Sequence, residues 1–334
     1  MSFRLGMADG VSIESAKWVW ALRRLGHEVT TVAGEGIADV VVPGLELAAA
    51  VPPDRDELAD ALGDADCVVV ENVCSLPLND GAADAVAAEL AGRPAVLHHH
   101  DLPWQRPRFV QHDGPPTDPA WCHVTINELS ADELADRGIA ATVIPNHFDL
   151  DPPPGDRGAM RLAIGVRGGA TLVVHPVRAI PRKDVGSALR LAEQMGAVYW
   201  LVGGPEDGYG PELDAVLGTA RTGARLGVPE GFTIADVYAA SDVIVLSSIW
   251  EGFGNAAIES VAFRRPLARR SYPVMAEIER HGLRYFDLDA VDELRAFVEH
   301  PDEELLDANL AAAREAYDLR LLPGRLDGVL RDLL

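Results

Sequence analysis

Two glutamates with seven residues between them, Glu251 and Glu259, bracket the stretch Gly252-Phe253-Gly254-Asn255-Ala256-Ala257-Ile258. An apolar run, Val243-Ile244-Val245-Leu246-Ser247-Ser248, precedes it and predicts a buried parallel strand. Asn255 is the expected N-cap of a helix that begins with Ala256. A strand, a glycine loop and a helix N-terminus make an anion site, because free backbone N–H groups and the positive dipole end face the ligand. That places Gly252, Phe253, Gly254 and Asn255 at the ligand. Carboxylates repel a phosphate. They fit such a site if they accept hydrogen bonds from hydroxyls at the two ends of a phosphorylated sugar.

A second set lies upstream. Ala170-Thr171-Leu172-Val173-Val174 predicts a strand, and His175 to Asp184 carries Arg178 and Lys183 into a helix starting near Val185. Both cations then sit at the carboxyl end of a strand, where open α/β sheets bind ligands. Lys183 is one of two lysines in the chain, with Lys17. Arginine offers a planar fork to a phosphate and lysine a point charge. Taken singly, a glutamate before a glycine loop is ordinarily a solvated residue, and one early in a helix complements the dipole. The combination with Arg178 and Lys183 favours a ligand. Arg182 is expected to be a solvated charge.

These residues resemble the family 4 retaining glycosyltransferases, which have the GT-B fold. The family's Glu-x7-Glu spacing is met by Glu251 and Glu259, and its Arg-x4-Lys spacing by Arg178 and Lys183. Val143-Ile144-Pro145-Asn146 followed by Asp149 resembles the family's hinge, with His147 standing where the family has glycine. Gly227-Val228 and Val237 to Val243 follow the family's order before the glutamate motif. The resemblance is strong over residues 143–275 and weaker before them. It implies two Rossmann-like doubly wound domains facing across a cleft. Residues 1–150 would be the acceptor domain, joined by a C-terminal helix at about 318–334, and 151–317 the nucleotide-sugar domain. It also implies a nucleotide-diphosphate sugar as donor and transfer with retention. Glu251 would hold donor-sugar hydroxyls and Glu259 the ribose.

In the N-terminal half, His98-His99-His100-Asp101-Leu102-Pro103-Trp104-Gln105-Arg106 begins at an expected strand end. Successive strand residues point to opposite faces, so the three histidines are not expected to converge on one metal ion. By resemblance, His100 and Asp101 match a His-Asp pair that lies near the donor sugar. Trp104 offers a face for stacking on a sugar and Arg106 a cation for an anionic acceptor, with packing and solvation as the plain alternatives. Glu71 and Asn72 follow Val68-Val69-Val70 one strand away, and Gly6 and Gly10 bracket the first strand–helix turn, Ala8-Asp9-Gly10. Glu71, Asn72 and Gly10 join the expected acceptor residues. The pairs Asp64/Asp66, Asp149/Asp151 and Asp287/Asp289 read as structural, so no metal and no cofactor is expected.

A chain of 334 residues exceeds what one core ordinarily supports. Strands expected at 3–7, 27–32, 40–42, 67–70, 95–99 and 123–125 precede the proline-rich segment Asp149 to Gly155. The pattern then repeats near 171–175, 197–202, 243–247 and 267–268, and 302–334 is helical. Three cysteines fit a reducing cytosol and lack metal spacing. No run approaches the roughly 18 apolar residues of a membrane span, and the start lacks a signal-peptide apolar region. A net charge of −23 argues against nucleic acid and anionic membranes. It also favours a small soluble acceptor, one able to carry a carboxylate or phosphate only where cations are placed for it. The rival readings are a nucleotide-sugar 2-epimerase of the same fold and a non-catalytic nucleotide-sugar-binding protein.

Overall fold

The computed structural model describes every residue except Ala8 and Gly168. The Ala8 part of the expected first turn therefore lies outside the described residues. The chain divides into two compact units, Met1–His147 with Leu319–Leu334, and Phe148–Asp318.

Among the described residues, the first unit holds a seven-stranded parallel sheet. Its strands are β1 Ser2–Leu5, β2 Val32–Gly36, β3 Val40–Val41, β4 Val68–Glu71, β5 Ala95–His99, β6 Trp121–Thr125 and β7 Ala141–Val143. They lie in the order β3-β2-β1-β4-β5-β6-β7. The intervening helices are α1 Gly10–Arg24, α2 Arg55–Leu62, α3 Asp80–Leu90 and α4 Glu128–Ala135. Near-continuous apolar strands such as Val68-Val69-Val70 are what a sheet covered on both faces requires. The second strand begins at Val32, where Ser2 pairs with Ala33, and not at His27. Residues 27–31 lie before the β1 ladder; the Thr31 carbonyl accepts from the Val40 N–H at 3.0 Å, and the Thr31 N–H and hydroxyl donate to the Asp39 carboxylate.

The second unit, again among the described residues, has six parallel strands. They are β8 Leu172–His175, β9 Val198–Leu201, β10 Ala224–Leu226, β11 Val243–Leu246, β12 Leu267–Arg269 and β13 Phe286–Asp287. Their order is β10-β9-β8-β11-β12-β13. Around them pack α5 Arg157–Ala163, α6 Val185–Met195, α7 Gly210–Leu217, α8 Ile234–Ala240, α9 Asn255–Ala262, α10 Pro273–Arg280, α11 Val291–Glu299 and α12 Glu303–Tyr317. The chain then returns to the first unit as α13, Leu322–Leu333. There Leu322, Leu326 and Leu330 join Trp18 and Ala21 of α1 and Val96 and Val124 of the sheet in one buried cluster.

Each strand order reverses beside the first strand of its unit, between β1 and β4 and between β8 and β11. The carboxyl ends at that reversal are the ligand crevice of an open α/β sheet. The proline-rich segment is less of a free linker than its composition suggests. A Cβ on Gly155 would lie 2.1 Å from the Ala235 carbonyl oxygen, and the Asp156 N–H donates to the Asp236 carboxylate at 2.7 Å.

Candidate functional site

In the second unit, the turn after β8 and the loop after β11 are stitched together. The Ser247 hydroxyl donates to the carbonyls of Lys183 and Asp184, at 2.8 and 2.9 Å. The Ile249 N–H donates to the Arg182 carbonyl at 2.8 Å. This zipper brings Glu251, which is 7% exposed, against two cations. The Lys183 ammonium bonds one carboxylate oxygen, and Arg182 bonds the other at 2.8 Å and the Trp250 carbonyl at 2.8 Å. Burial pushes the Glu251 carboxyl up, but Lys183, Arg182 and Ser248 outweigh it and hold it down at about 2. Burial lowers the pKa of Lys183, and the Glu251 charge opposes that fall. Glu251 is thus a fixed anion.

Arg182 is therefore not a solvated charge. Its partner lies 69 residues away, beyond the reach of local spacing. Arg178 and Lys183 do not converge on one partner in this structure. Arg178 is half-buried and pairs with Glu206 at 2.6 Å. The segment Gly203-Gly204-Pro205, which resembles a simple turn, sets that pair up. The Gly203 N–H donates to Val177, the Ala179 N–H to Gly204 and the Glu206 N–H to Ala179, at 2.9 to 3.0 Å. A Cβ on Gly203 would lie 2.6 Å from the Val177 oxygen, so only glycine allows the approach.

The glycine loop also differs from expectation by one residue. Gly254, at φ +100°, is the N-cap of α9, and Asn255 is the first helical residue. A side chain at 254 would be strained by that φ and would meet the Tyr272 hydroxyl at 2.3 Å. Phe253 is buried against Phe148 and Tyr317, with ring centroids 6.0 and 5.7 Å away, so its side chain braces the loop. Gly252 is half-buried. The Tyr238 hydroxyl donates to Glu259 at 2.6 Å, fixing the second glutamate midway along α9. Behind this group, His175 is fully buried, with Nδ1 2.9 Å from the Tyr199 hydroxyl. Burial first, then the Lys183 charge, drive its pKa down to about 3.

In the first unit, parallel register pairs Glu71 with His98. Residues 98 and 100 share a face of the chain, and both turn to the same carboxylate oxygen. His98 Nδ1 is 2.8 Å and His100 Nε2 2.9 Å from Glu71 Oε2. His99 points the other way, to Ser75 at 2.6 Å and His123 at 2.9 Å. The three histidines thus divide two and one, as strand alternation demands. Among the described residues, Glu71, His98 and His100 are the one group of three such side chains close enough to share a cation. Burial opposes the charged form of Glu71, yet His98 and His100 hold its carboxyl well below the usual range. Burial keeps His98 neutral despite Glu71, whereas for His100 the carboxylate outweighs burial and raises the pKa.

Other expected acceptor residues are largely engaged. Glu71 is buried with its carboxylate committed to imidazoles, and Asn72 is buried at φ +62° with its side-chain oxygen accepting the His100 N–H at 3.0 Å. These two shape the strand end, and a direct contact with an acceptor would have to displace those bonds. Asp101 pairs with Arg106 at 2.7 Å and not with His100. The Trp104 indole donates to Glu133 at 2.8 Å, and the Arg137 guanidinium lies 3.5 Å over its ring, so that face is closed to a sugar. Gly10 is the exposed first residue of α1, capped by the Asp9 carboxylate. Sequence reasoning missed His98, Glu14, Arg182, Glu206 and Tyr238. For His98 a signal existed, since histidines two apart on a strand share a face.

Residues 181–307 match the family model described as glycosyl transferases group 1. The chain is 24% identical over 357 residues to a mannosylglucosylglycerate synthase of Thermotoga maritima, spanning 86% of this chain and 83% of that one. It is 33% identical to a D-inositol 3-phosphate glycosyltransferase of a Mycobacterium species over a shorter stretch, 47% of this chain and 38% of the relative. Among solved structures, the Anabaena protein HepE, in complex with UDP and glucose, aligns over 99% of both chains with a TM-score of 0.75 and 16% identity. Sucrose-phosphate synthase from Thermosynechococcus elongatus aligns over 99% of this chain and 95% of that one, with a TM-score of 0.72 and 13% identity. The homologues of this chain are thus group 1 glycosyltransferases, and its two parallel-sheet units have the GT-B fold.

Proposed function

We propose that the protein is a retaining glycosyltransferase of family 4. It moves a hexose from a nucleotide-diphosphate sugar to a small, soluble, hydroxylated acceptor that can carry a carboxylate or phosphate. One observation carries the reading. Lys183, Arg182 and the ionised Glu251 are gathered at the strand-order reversal, beside the glycine loop and the N-terminus of α9. Cations and an oriented helix end suit a diphosphate, and a fixed carboxylate suits sugar hydroxyls.

The acceptor hydroxyl attacks the anomeric carbon as its bond to the phosphate oxygen breaks. The hydroxyl proton passes to the departing phosphate oxygen on the same face. Lys183, Arg178 and the α9 N–H groups take up the charge that develops on the diphosphate. Glu251 and Glu259 orient the sugar and the ribose, and His100 and Arg106 are assigned to the reacting end of the acceptor. No divalent metal is required on the diphosphate. The HepE structure with UDP and glucose supports a uridine donor as the first to try. The names mannosylglucosylglycerate synthase and D-inositol 3-phosphate glycosyltransferase support an anionic acceptor, since glycerate bears a carboxylate and the inositol a phosphate.

Thermal unfolding with UDP-, GDP- and ADP-sugars tests the donor. A ligand at 100 times its Kd adds about 2.7 kcal/mol. One nucleotide class should stabilise the protein, and slow donor hydrolysis without acceptor should accompany it. Stabilisation by none would overturn the reading. Stabilisation without any hydrolysis or transfer would leave a binding protein.

A further inference from the structure

Glu71, His98 and His100 are placed for more than mutual hydrogen bonding. Their Oε2, Nδ1 and Nε2 atoms lie within 4.8 Å of one another, on three buried side chains at one strand end. The two imidazoles converge on a single carboxylate oxygen, at 2.8 and 2.9 Å. These are hydrogen-bond separations, and a tetrahedral ion at the roughly 2.0–2.2 Å that nitrogen and oxygen donors keep from zinc requires them to open by about half an ångström, within the reach of side-chain rotation. Two further buried atoms have no hydrogen-bond partner among the described residues, Glu14 Oε1 and His98 Nε2. Glu14 is itself 1% exposed, on the inward face of α1, and its charge acts on both imidazoles. Glu14 is paired through its other oxygen with the Lys17 ammonium at 2.8 Å, which leaves Oε1 as an acceptor, and metal-bound histidines commonly give their other ring N–H to a carboxylate. The stack of Trp18 on His98, with centroids 4.0 Å apart, fixes one ring from outside.

We propose that Glu71, His98 and His100 form a binding site for one transition-metal dication of the zinc class. Imidazole with carboxylate suits zinc and its neighbours, whereas magnesium and calcium prefer oxygen donors alone. The site belongs to the first unit and leaves the diphosphate chemistry of the second metal-free; it takes His100 Nε2 as a ligand in place of the acceptor role given to His100 above, and so stands apart from that assignment. Its effect is to tie the end of β4 to the end of β5.

The test is direct. Protein stripped with EDTA is dialysed against Zn²⁺, and bound metal is counted by plasma emission. X-ray absorption at the zinc edge counts the imidazoles. One ion per chain with two imidazole ligands is expected, and it needs no variant to fold. Glu71→Gln and His98→Gln should each weaken binding by more than about tenfold, the lower end of what even an outer partner of a metal costs. His123→Gln, which removes a buried imidazole outside the site, should bind as the wild type does. No zinc above the background of stripped protein would overturn the proposal and leave a hydrogen-bonded clamp. Equal retention by the wild type, Glu71→Gln and His98→Gln would overturn it as well, as surface binding.

Discussion

Glu71 and Glu251 hold matching places in their two units. Each lies at or just beyond the carboxyl end of the strand across the reversal, and each is buried. Their partners differ. Glu71 is served by two imidazoles, which are bulky, ring-shaped and half neutral. Glu251 is served by Lys183 and Arg182, two full charges on extensible stems. A carboxylate held by imidazoles is rigid and self-contained. One held by a lysine and an arginine can surrender the lysine to an incoming phosphate and remain paired through the arginine. On this comparison the second unit presents a site prepared for exchange of ionic partners, and the first a fixed wall.

The largest effect on turnover should follow from breaking the exchangeable group. Lys183→Ala should lower turnover by roughly 2–4 kcal/mol, in the range of losing one donor from an oxyanion site. Arg178→Ala should act on turnover in the same direction, yet leave stability within about 1 kcal/mol, because its exposed pair with Glu206 contributes little. Wild-type turnover in both variants, by steady-state kinetics, would remove the diphosphate from this site.

Next comes stability. Glu251→Gln leaves the buried Lys183 and the half-buried Arg182 without their counter-charge and should cost about 3–5 kcal/mol in urea unfolding. Glu71→Gln keeps a neutral acceptor for neutral His98 and should cost less. The reverse order would invert the comparison.

The two glutamates of the second unit should also separate. Glu259→Gln should weaken binding of the free nucleoside diphosphate in calorimetry. Glu251→Gln should spare the nucleotide and impair transfer. Equal weakening would contradict the division.

The pH dependence gives the smallest and most gradual signal. His175, facing Tyr199, Lys183, Glu251 and Asp184, is held neutral with a pKa near 3. The unfolded chain binds its proton near 6.5 and the folded one does not. Its stability contribution therefore falls as pH drops below about 6.5, by up to about 1.4 kcal/mol per pH unit, until about 3. Glu251 works over a lower window. Its pKa is depressed, so its stabilisation is full above about 4.5 and lost as pH falls through about 2. Urea titrations of His175→Asn and wild type between pH 7 and 5 should converge as pH falls, and parallel curves would remove His175 as the cause.

Much of this was legible from residue order. The long apolar strands announced themselves, because a strand covered on both faces needs uninterrupted Val, Ile and Leu. Of the five described strands of two or three residues, β3 and β12 are legible and β7, β10 and β13 are not. Ala141–Val143, Ala224–Leu226 and Phe286–Asp287 are two or three residues long and carry no period. Glu251 and Lys183 could be placed together because both follow strand ends. Arg182 and Glu206 could not, since their partners are distant in sequence and meet only when loops zip together. The shift of the α9 cap from Asn255 to Gly254 has the same origin. Tyr272 closes over residue 254 and leaves no space for a side chain.

The path of the chain has a consequence for synthesis. The second unit begins at Phe148 and ends at Asp318, and those two residues pair with each other in a single parallel bridge. Its entry and exit are thus neighbours, as in a domain spliced into a host loop. The host unit lacks Leu322, Leu326 and Leu330 until α13 has left the ribosome. Trp18 and Val96 must wait with part of their apolar surface uncovered while the inserted unit is already complete. The later-made domain can therefore fold first, and nascent chains stalled before residue 322 should expose the earlier one to proteases.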